Sequence, residues 1–324
     1  MRKIPAVVAA LGLAALALAG CSASGSASGS ASCPRPSVSA SPTLDGVTVA
    51  GDTDAAPVVT LPTPFHLDAT ASEDVVAGDG TAITDSEQLV VLDISLSSGA
   101  TGKKLIATPY DGDLSRVFPL SRWVETFPGF ADALHCATVG SRVVVGLAPG
   151  DIQEQTMASL GLKDGDSAIA VVDVRKAFLT KADGANQYND ALGMPTVVRA
   201  PDGRPGIIVP DATPPSDLVV QTIKKGDGPE VTGDVPVRIA YTGVTWENRK
   251  VFDTTWGSEP PSTTLTTLVP GLAEGLKGQT VGSQVLVVVP PDQGYGATQK
   301  GSVPANSTLV YVVDILGLDQ APAN

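Results

Sequence analysis

Aromatic side chains are scarce in this 324-residue chain, at 4% of residues. Any place where they gather is therefore expected to line something rather than merely fill space. Histidine is scarcer still: His66 and His135 show no metal-ligand spacing with the cysteines along the chain, and no metal is expected; both read as surface residues. Basic residues are outnumbered 21 to 34, and the net charge of −13 argues against nucleic acid as a partner and against electrostatic adhesion to anionic lipid. The apolar stretch Val7 to Leu18 is too short to span a membrane comfortably. Strand-like and helix-like segments do not alternate in two lobes, as a small-solute receptor of a transporter would require.

What is present begins with an export pattern. Arg2 and Lys3 precede the alanine-rich apolar run, and residues 1–20 are expected to be a signal peptide. Leu18-Ala19-Gly20-Cys21 resembles a bacterial lipobox, so Cys21 is the expected lipidation site and a lipid anchor the expected link to the membrane. Residues 21–44 then form a Ser-rich tether. Ser22 to Ser32 contains only Ser, Ala and Gly, which cannot bury apolar area and stays a coil. Such a tether reaches about 25–30 Å on average. The other two cysteines, Cys33 and Cys136, leave two alternatives open: a disulfide, as an exported protein permits, or two free thiols.

The remaining chain reads as one pattern written twice. Ala56 to Pro62 lies over Arg204 to Pro210, and Gly78-Asp79-Gly80 over Gly226-Asp227-Gly228, at one constant offset. Pro128-Gly129-Phe130-Ala131 over Pro270-Gly271-Leu272-Ala273, and Val139-Gly140-Ser141 over Val281-Gly282-Ser283, follow at a slightly shorter one. In the second copy, Val235 to Tyr241, Val285 to Val289 and Leu309 to Ile315 alternate with a period of two, as half-buried strands do. Pro270 to Lys277 reads as a short helix with Leu272 and Leu276 on one face. The expected fold class is α+β: two tandem domains, each an antiparallel β-sheet wrapped over a short α-helix. The boundaries are 45–178 for the first domain, 179–194 for a linker and 195–324 for the second.

Three of the five tyrosines fall between Tyr241 and Tyr311, beside Phe252-Asp253. From about Asp217 to Leu318 the chain resembles an FKBP-type peptidyl-prolyl cis-trans isomerase. The matching pieces are Gly226-Asp227-Gly228, Tyr241-Thr242-Gly243, Lys250-Val251-Phe252-Asp253, Leu268-Val269-Pro270-Gly271-Leu272, Tyr295-Gly296-Ala297 and Val303-Pro304 to Tyr311. The resemblance implies catalytic residues Tyr241, Phe252, Asp253 and Tyr295, and a proline pocket completed by Leu268, Val269, Leu272, Val303 and Tyr311. It implies that Leu272 forms the floor, that Phe252 and Tyr311 form walls, and that the Val269 N–H and the Tyr295 hydroxyl bond substrate carbonyls. Pro261 stands where the family usually has an aromatic. No cofactor is implied, and macrolides join proline-containing exported polypeptides as expected ligands.

The first copy keeps the framework and loses the pocket. Asp93 is expected at the place of Tyr241, Ile106-Ala107 at that of Phe252-Asp253, and Phe130 at the floor. The function expected is prolyl isomerisation in exported proteins at the outer face of the cell membrane. The competing reading is a lipid-anchored, non-catalytic chaperone or binding protein built on the same domains.

Overall fold

The computed structural model describes residues 33, 35, 42–188 and 191–320. The expected signal peptide, the lipidation site Cys21 and the run Ser22 to Ser32 lie outside the described residues.

The chain builds two large antiparallel sheets in succession. The first half contains β1 (Thr48–Ala50), β2 (Val58–Thr60), β3 (Ala71–Val76), β4 (Leu89–Ser98), β5 (Lys104–Ala107) and β6 (Phe118–Pro119). These are followed by α1 (Leu120–Thr126), α2 (Phe130–Ala133), β7 (Arg142–Leu147), α3 (Glu154–Leu160) and β8 (Ala168–Ala177). The second half contains β9 (Ala185–Asn186), β10 (Thr196–Arg199), β11 (Pro205–Ile208), β12 (Val219–Lys225), β13 (Val237–Thr245) and β14 (Val251–Thr254). It ends with β15 (Ser262–Thr263), α4 (Pro270–Leu276), β16 (Gln284–Val289) and β17 (Leu309–Leu318). The α+β class with antiparallel sheets and few helices is as expected.

Strand order is β3-β7-β8-β4-β5 in the first sheet, with β6 on β4. In the second it is β12-β16-β17-β13-β14, with β15 on β13 and β9 added beside β12. The two orders correspond strand for strand. Twin turns enter both sheets: the N–H groups of Gly78 and Gly226 each donate to a serine hydroxyl, Ser141 and Ser283, at 3.0 Å. Any side chain on Gly226 would run into the Val281 carbonyl, at 2.1 Å from an added Cβ, so this turn demands glycine.

Helix α4 is too short to persist alone, and packing on the sheet holds it. Leu272 and Leu276 are buried on its inner face. Gly271 and Gly275 let the backbone close onto β16, where an added Cβ would lie 2.6 Å from Val289 Cγ1 and 2.9 Å from Val287 Cγ1. Pro270 opens the helix, and Gly278, at φ 80°, lies just past its end.

The strands are not half-buried, as their alternation suggested. β4, β7 and β16 are buried at every position. The reason is a second layer: hairpin β1–β2 covers the outer face of the first sheet, with Leu44, Val49 and Val59 on Val144, Ile169 and Val171. Hairpin β10–β11 covers the second, with Val197, Ile207 and Val209 on Leu286, Val288, Val310 and Val312. The outward-facing valine, isoleucine and leucine positions of β7, β8, β16 and β17 are therefore roofed over as well.

The segment expected as a linker makes backbone contacts with the second sheet. Leu179 N–H donates to Leu316 O at 2.9 Å, Ala182 N–H to Asp314 Oδ2 at 2.8 Å, and Gly184 N–H to Gly282 O at 3.0 Å. Residues Ala185–Asn186 then pair with β12 as an edge of the second sheet. Phe178 rests on Gly317, where a Cβ would be 2.5 Å from its ring. The Cys33 and Cys136 sulfurs are joined, with Cα atoms 5.4 Å apart, so of the two sequence alternatives the structure has the disulfide.

Candidate functional site

The inner face of the second sheet carries the aromatic cluster. Tyr241 and Gly243 are two apart on β13 and so point to the same face. Gly243 lies opposite Tyr311 on β17 and opposite Asp253 on β14. With no side chain at 243, the Phe252 and Tyr311 rings meet over that position, edge to face, with centroids 5.5 Å apart and planes at 89°. Tyr241 adds a second edge contact to Tyr311, at 6.1 Å. Such T-shaped pairs are favourable because ring edge and ring face carry opposite partial charge.

The floor comes from the helix. Leu272 and Val303 are buried, each 2% exposed, while Leu268, Val269, Tyr241, Phe252 and Tyr295 are half-buried around them in one apolar cluster with Tyr311. Asp253 is exposed at the rim, where its Oδ2 accepts the Tyr241 hydroxyl at 2.5 Å. All nine sequence-predicted pocket residues are thus brought to one place. Val269 caps α4 with its carbonyl, which accepts from Leu272 and Ala273. Its own N–H has no acceptor among the described residues.

Burial holds the Tyr241 phenol well above the usual tyrosine range, and the Asp253 carboxylate beside it adds to the effect. Tyr311 is raised further, by burial first and then by the neighbouring Tyr295. These hydroxyls therefore stay protonated and remain donors. The cluster offers apolar faces, phenolic hydroxyls and a backbone N–H with no acceptor among the described residues.

Two residues escaped the sequence reading. Gly243 was visible only as part of a motif, and its role as the vacancy under two rings needed the ladder register. Thr255 grips Tyr241 from both sides: its Oγ1 accepts the Tyr241 N–H at 2.9 Å, and its N–H donates to the Tyr241 carbonyl at 3.0 Å. Nothing in the local sequence marks Thr255. The segment around Pro261 is pinned elsewhere, with Ser262 and Thr263 paired to the start of β13 and Arg238 donating to the Pro260 carbonyl at 2.9 Å. Trp256 lines a separate cavity of about 540 Å³ between the two halves, together with Pro119, Phe178 and Arg238.

The corresponding place in the first sheet is filled, and its register differs by one residue from the sequence expectation. Ile94, not Asp93, repeats the Tyr241 pattern, its N–H donating to Thr108 Oγ1 at 3.0 Å. Leu96 lies opposite Ala170 and Ile106, as Gly243 lies opposite Tyr311 and Asp253. Leu105-Ile106, not Ile106-Ala107, therefore stands where Phe252-Asp253 stands. A slip of one residue in a strand turns every side chain to the other face: Asp93 faces outward, near Arg175 at 3.5 Å. Phe127 and Phe130, 5.1 Å apart, occupy the interior with Met157, Leu160 and Leu162 of α3 and its following turn.

Comparison with known proteins agrees with this geometry. The family model described as FKBP-type peptidyl-prolyl cis-trans isomerase matches residues 228–316. A probable FK506-binding protein of Corynebacterium glutamicum is 32% identical over 114 residues, 35% of this chain and 97% of the relative. The isomerase FKBP15-3 of Arabidopsis thaliana is 35% identical over 117 residues, 35% of this chain and 82% of the relative. The isomerase FkpA of Escherichia coli is 32% identical over 110 residues, of which this chain spans 41% of the relative's length. Its crystal structure aligns at 30% identity over 41% of this chain and 54% of that one, with a TM-score of 0.31. The chain belongs to the FKBP-type peptidyl-prolyl cis-trans isomerases.

Proposed function

We propose that X–Pro bonds turn in the hollow bounded by Tyr241, Phe252, Leu272, Tyr295 and Tyr311, and that this is the chain's one isomerase site. The single observation that carries the reading is the convergence of all nine residues on one partly open apolar cluster with hydroxyl donors at its rim. The reaction crosses a barrier of about 18–20 kcal/mol because the planar amide must give up resonance as it twists. No bond is made or broken. The twisted amide has less charge separation than the planar one, so apolar walls favour it relative to the ground state. The Val269 N–H holds the carbonyl while the prolyl side of the bond rotates over Leu272. Each ~1.4 kcal/mol of preference for the twisted form gives tenfold in rate.

The chain is two tandem FKBP-like domains on this reading, 45–178 and 195–324, the first without a catalytic hollow. The matching strand orders and the filled interior around Phe127 and Phe130 support it. Substrates are proline-containing exported polypeptides, met at the outer face of the cell membrane where a lipid on Cys21 tethers the protein. Macrolides of the kind that family names refer to would occupy the same hollow.

The test is a proline-limited refolding assay with the full chain and its Tyr241→Ala, Asp253→Ala and Phe252→Ala variants. Wild type accelerates the slow phase and the variants lose most of that acceleration. Equal rates for all four would leave only a binding role. Cys21→Ser, followed by fractionation, separates the anchor from the activity: the variant should leave the membrane and keep its rate.

A further inference from the structure

The cluster around the disulfide has a chemistry that the isomerase reading does not use. His135 is adjacent in sequence to Cys136, and its Nε2 lies 3.9 Å from Cys33 Sγ. The two sulfurs and the imidazole nitrogen all fall within 4.8 Å of one another. Ligands at about 2.3 Å for sulfur and about 2.0–2.1 Å for nitrogen around a tetrahedral Zn²⁺ put sulfur and nitrogen about 3.5 Å apart. That is close to the distance seen here, while the two sulfurs must part from bonding distance.

A disulfide engages both sulfurs, and the site exists as a metal site only once that bond is open. What keeps the residues together then is a second, independent fastening two positions beyond Cys33. Arg35 forks onto Asp74, Nε to Oδ2 and Nη2 to Oδ1, both at 2.6 Å. Its guanidinium also donates to the carbonyls of His135 at 2.7 Å and Ala133 at 2.8 Å. Cys136 is held on its side by its N–H to the Ile83 carbonyl at 2.7 Å. Bidentate arginine–carboxylate pairs combine strength with fixed geometry. Cys33 and the Cys136 backbone thus stay facing each other without the S–S bond. Cys33 also lines a cavity of about 850 Å³ between the two halves, a route by which a small ion can arrive.

We propose that reduction converts the Cys33–Cys136 disulfide into a binding site for a thiophilic divalent cation, held by Cys33, Cys136 and His135. A dithiol reductant supplies two electrons and two protons, leaves as its cyclic disulfide, and frees two thiols. The cation then takes two thiolates and the neutral imidazole, and the two thiol protons pass to solvent. The fourth position of the tetrahedron is open to water.

Cadmium is the probe, because thiolate coordination gives an ultraviolet charge-transfer band. The full chain is used on a Cys21→Ser background, so that only these two sulfurs are in play. After reduction and anaerobic removal of the reductant, about one equivalent of cadmium should bind, with release of protons. The oxidised chain should show no band, and Cys33→Ser should lose it. His135→Ala should weaken binding at least about tenfold. A reduced chain that takes up no more cadmium than Cys33→Ser would overturn the proposal. So would an affinity unchanged by His135→Ala, since the histidine lies on the surface and its loss does not threaten folding.

Discussion

Gly243 lies directly opposite Tyr311 across the ladder, and the Phe252 ring occupies the space its missing side chain leaves. In the other sheet the same pairing is Leu96 against Ala170. The bulky residue stands on the opposite strand of the pair there, and the interior beside it is packed with Phe127 and Phe130. A Cβ at Gly243 would lie 2.6 Å from Phe252 Cζ and 3.0 Å from Tyr311 Cε1. Gly243→Ala should therefore destabilise by about 1–3 kcal/mol through overpacking. Displacing a wall by about 1 Å can cost on the order of a hundredfold in kcat/KM. Gly243→Leu combined with Tyr311→Ala should recover stability in urea unfolding and leave no catalysis in the refolding assay.

The Tyr241 hydroxyl and Asp253 form one unit at the rim. Asp253→Ala leaves a half-buried phenol without its acceptor, while Tyr241→Phe removes donor and need together. Asp253→Ala should therefore cost more activity than Tyr241→Phe. A double-mutant cycle on stability should return a coupling of about 0.5–1.5 kcal/mol, modest because Asp253 faces water. Additive effects would show that the two act separately.

Much of this was legible from residue order. The period-two runs located β13, β16 and β17, the Pro-x-Leu-x-x-x-Leu spacing located α4, and the ordered motifs named residues that gather in one apolar cluster. Two features were not. Val58-Val59-Thr60 and Pro205 to Ile208 matched each other in sequence, yet short three- or four-residue strands carry no signal that they fold back over an outer sheet face. The register of the first copy failed for a different reason. The offset between the repeats changes by insertion within loops, and one residue of slip separates Asp93 from Ile94. Only the ladder partners and the Thr108 hydrogen bond to Ile94 fix it.

Three tyrosines should titrate late. Burial raises Tyr110, Tyr241 and Tyr311 above the ordinary value near 10, with the Asp173 carboxylate adding to the shift at Tyr110, Asp253 at Tyr241 and Tyr295 at Tyr311. Above about pH 10 the unfolded chain has lost these protons and the folded chain retains them. Folded-state stability from this source is therefore full below about pH 10 and falls as pH rises beyond it. Tyrosinate absorbance of the native protein should lag that of the urea-unfolded chain across that range. Superimposable curves would contradict the burial of these rings.

The first half depends on a buried ion pair. Arg142 and Asp173 are each 1% exposed, joined by Nε to Oδ1 at 2.7 Å and Nη2 to Oδ2 at 2.9 Å. The same guanidinium donates to the carbonyls of Gly51, Asp52 and Ala55, and so fastens the turn of the β1–β2 hairpin onto the sheet. Arg142→Met would leave the Asp173 carboxylate buried without its cation, at a cost of about 3–5 kcal/mol. It would also free the hairpin that roofs Val144, Ile169 and Val171. Replacing both partners, Arg142→Met with Asp173→Leu, should recover part of that loss, because no isolated charge remains, but not the part due to the three orphaned carbonyls. Urea unfolding of the single and double variants measures both contributions. Because the pair lies in the first sheet and the hollow in the second, the fraction of either variant that remains folded should catalyse at the wild-type rate. A catalytic loss without unfolding would mean that the docked segment from Phe178 to Asn186 transmits the disturbance from one sheet to the other.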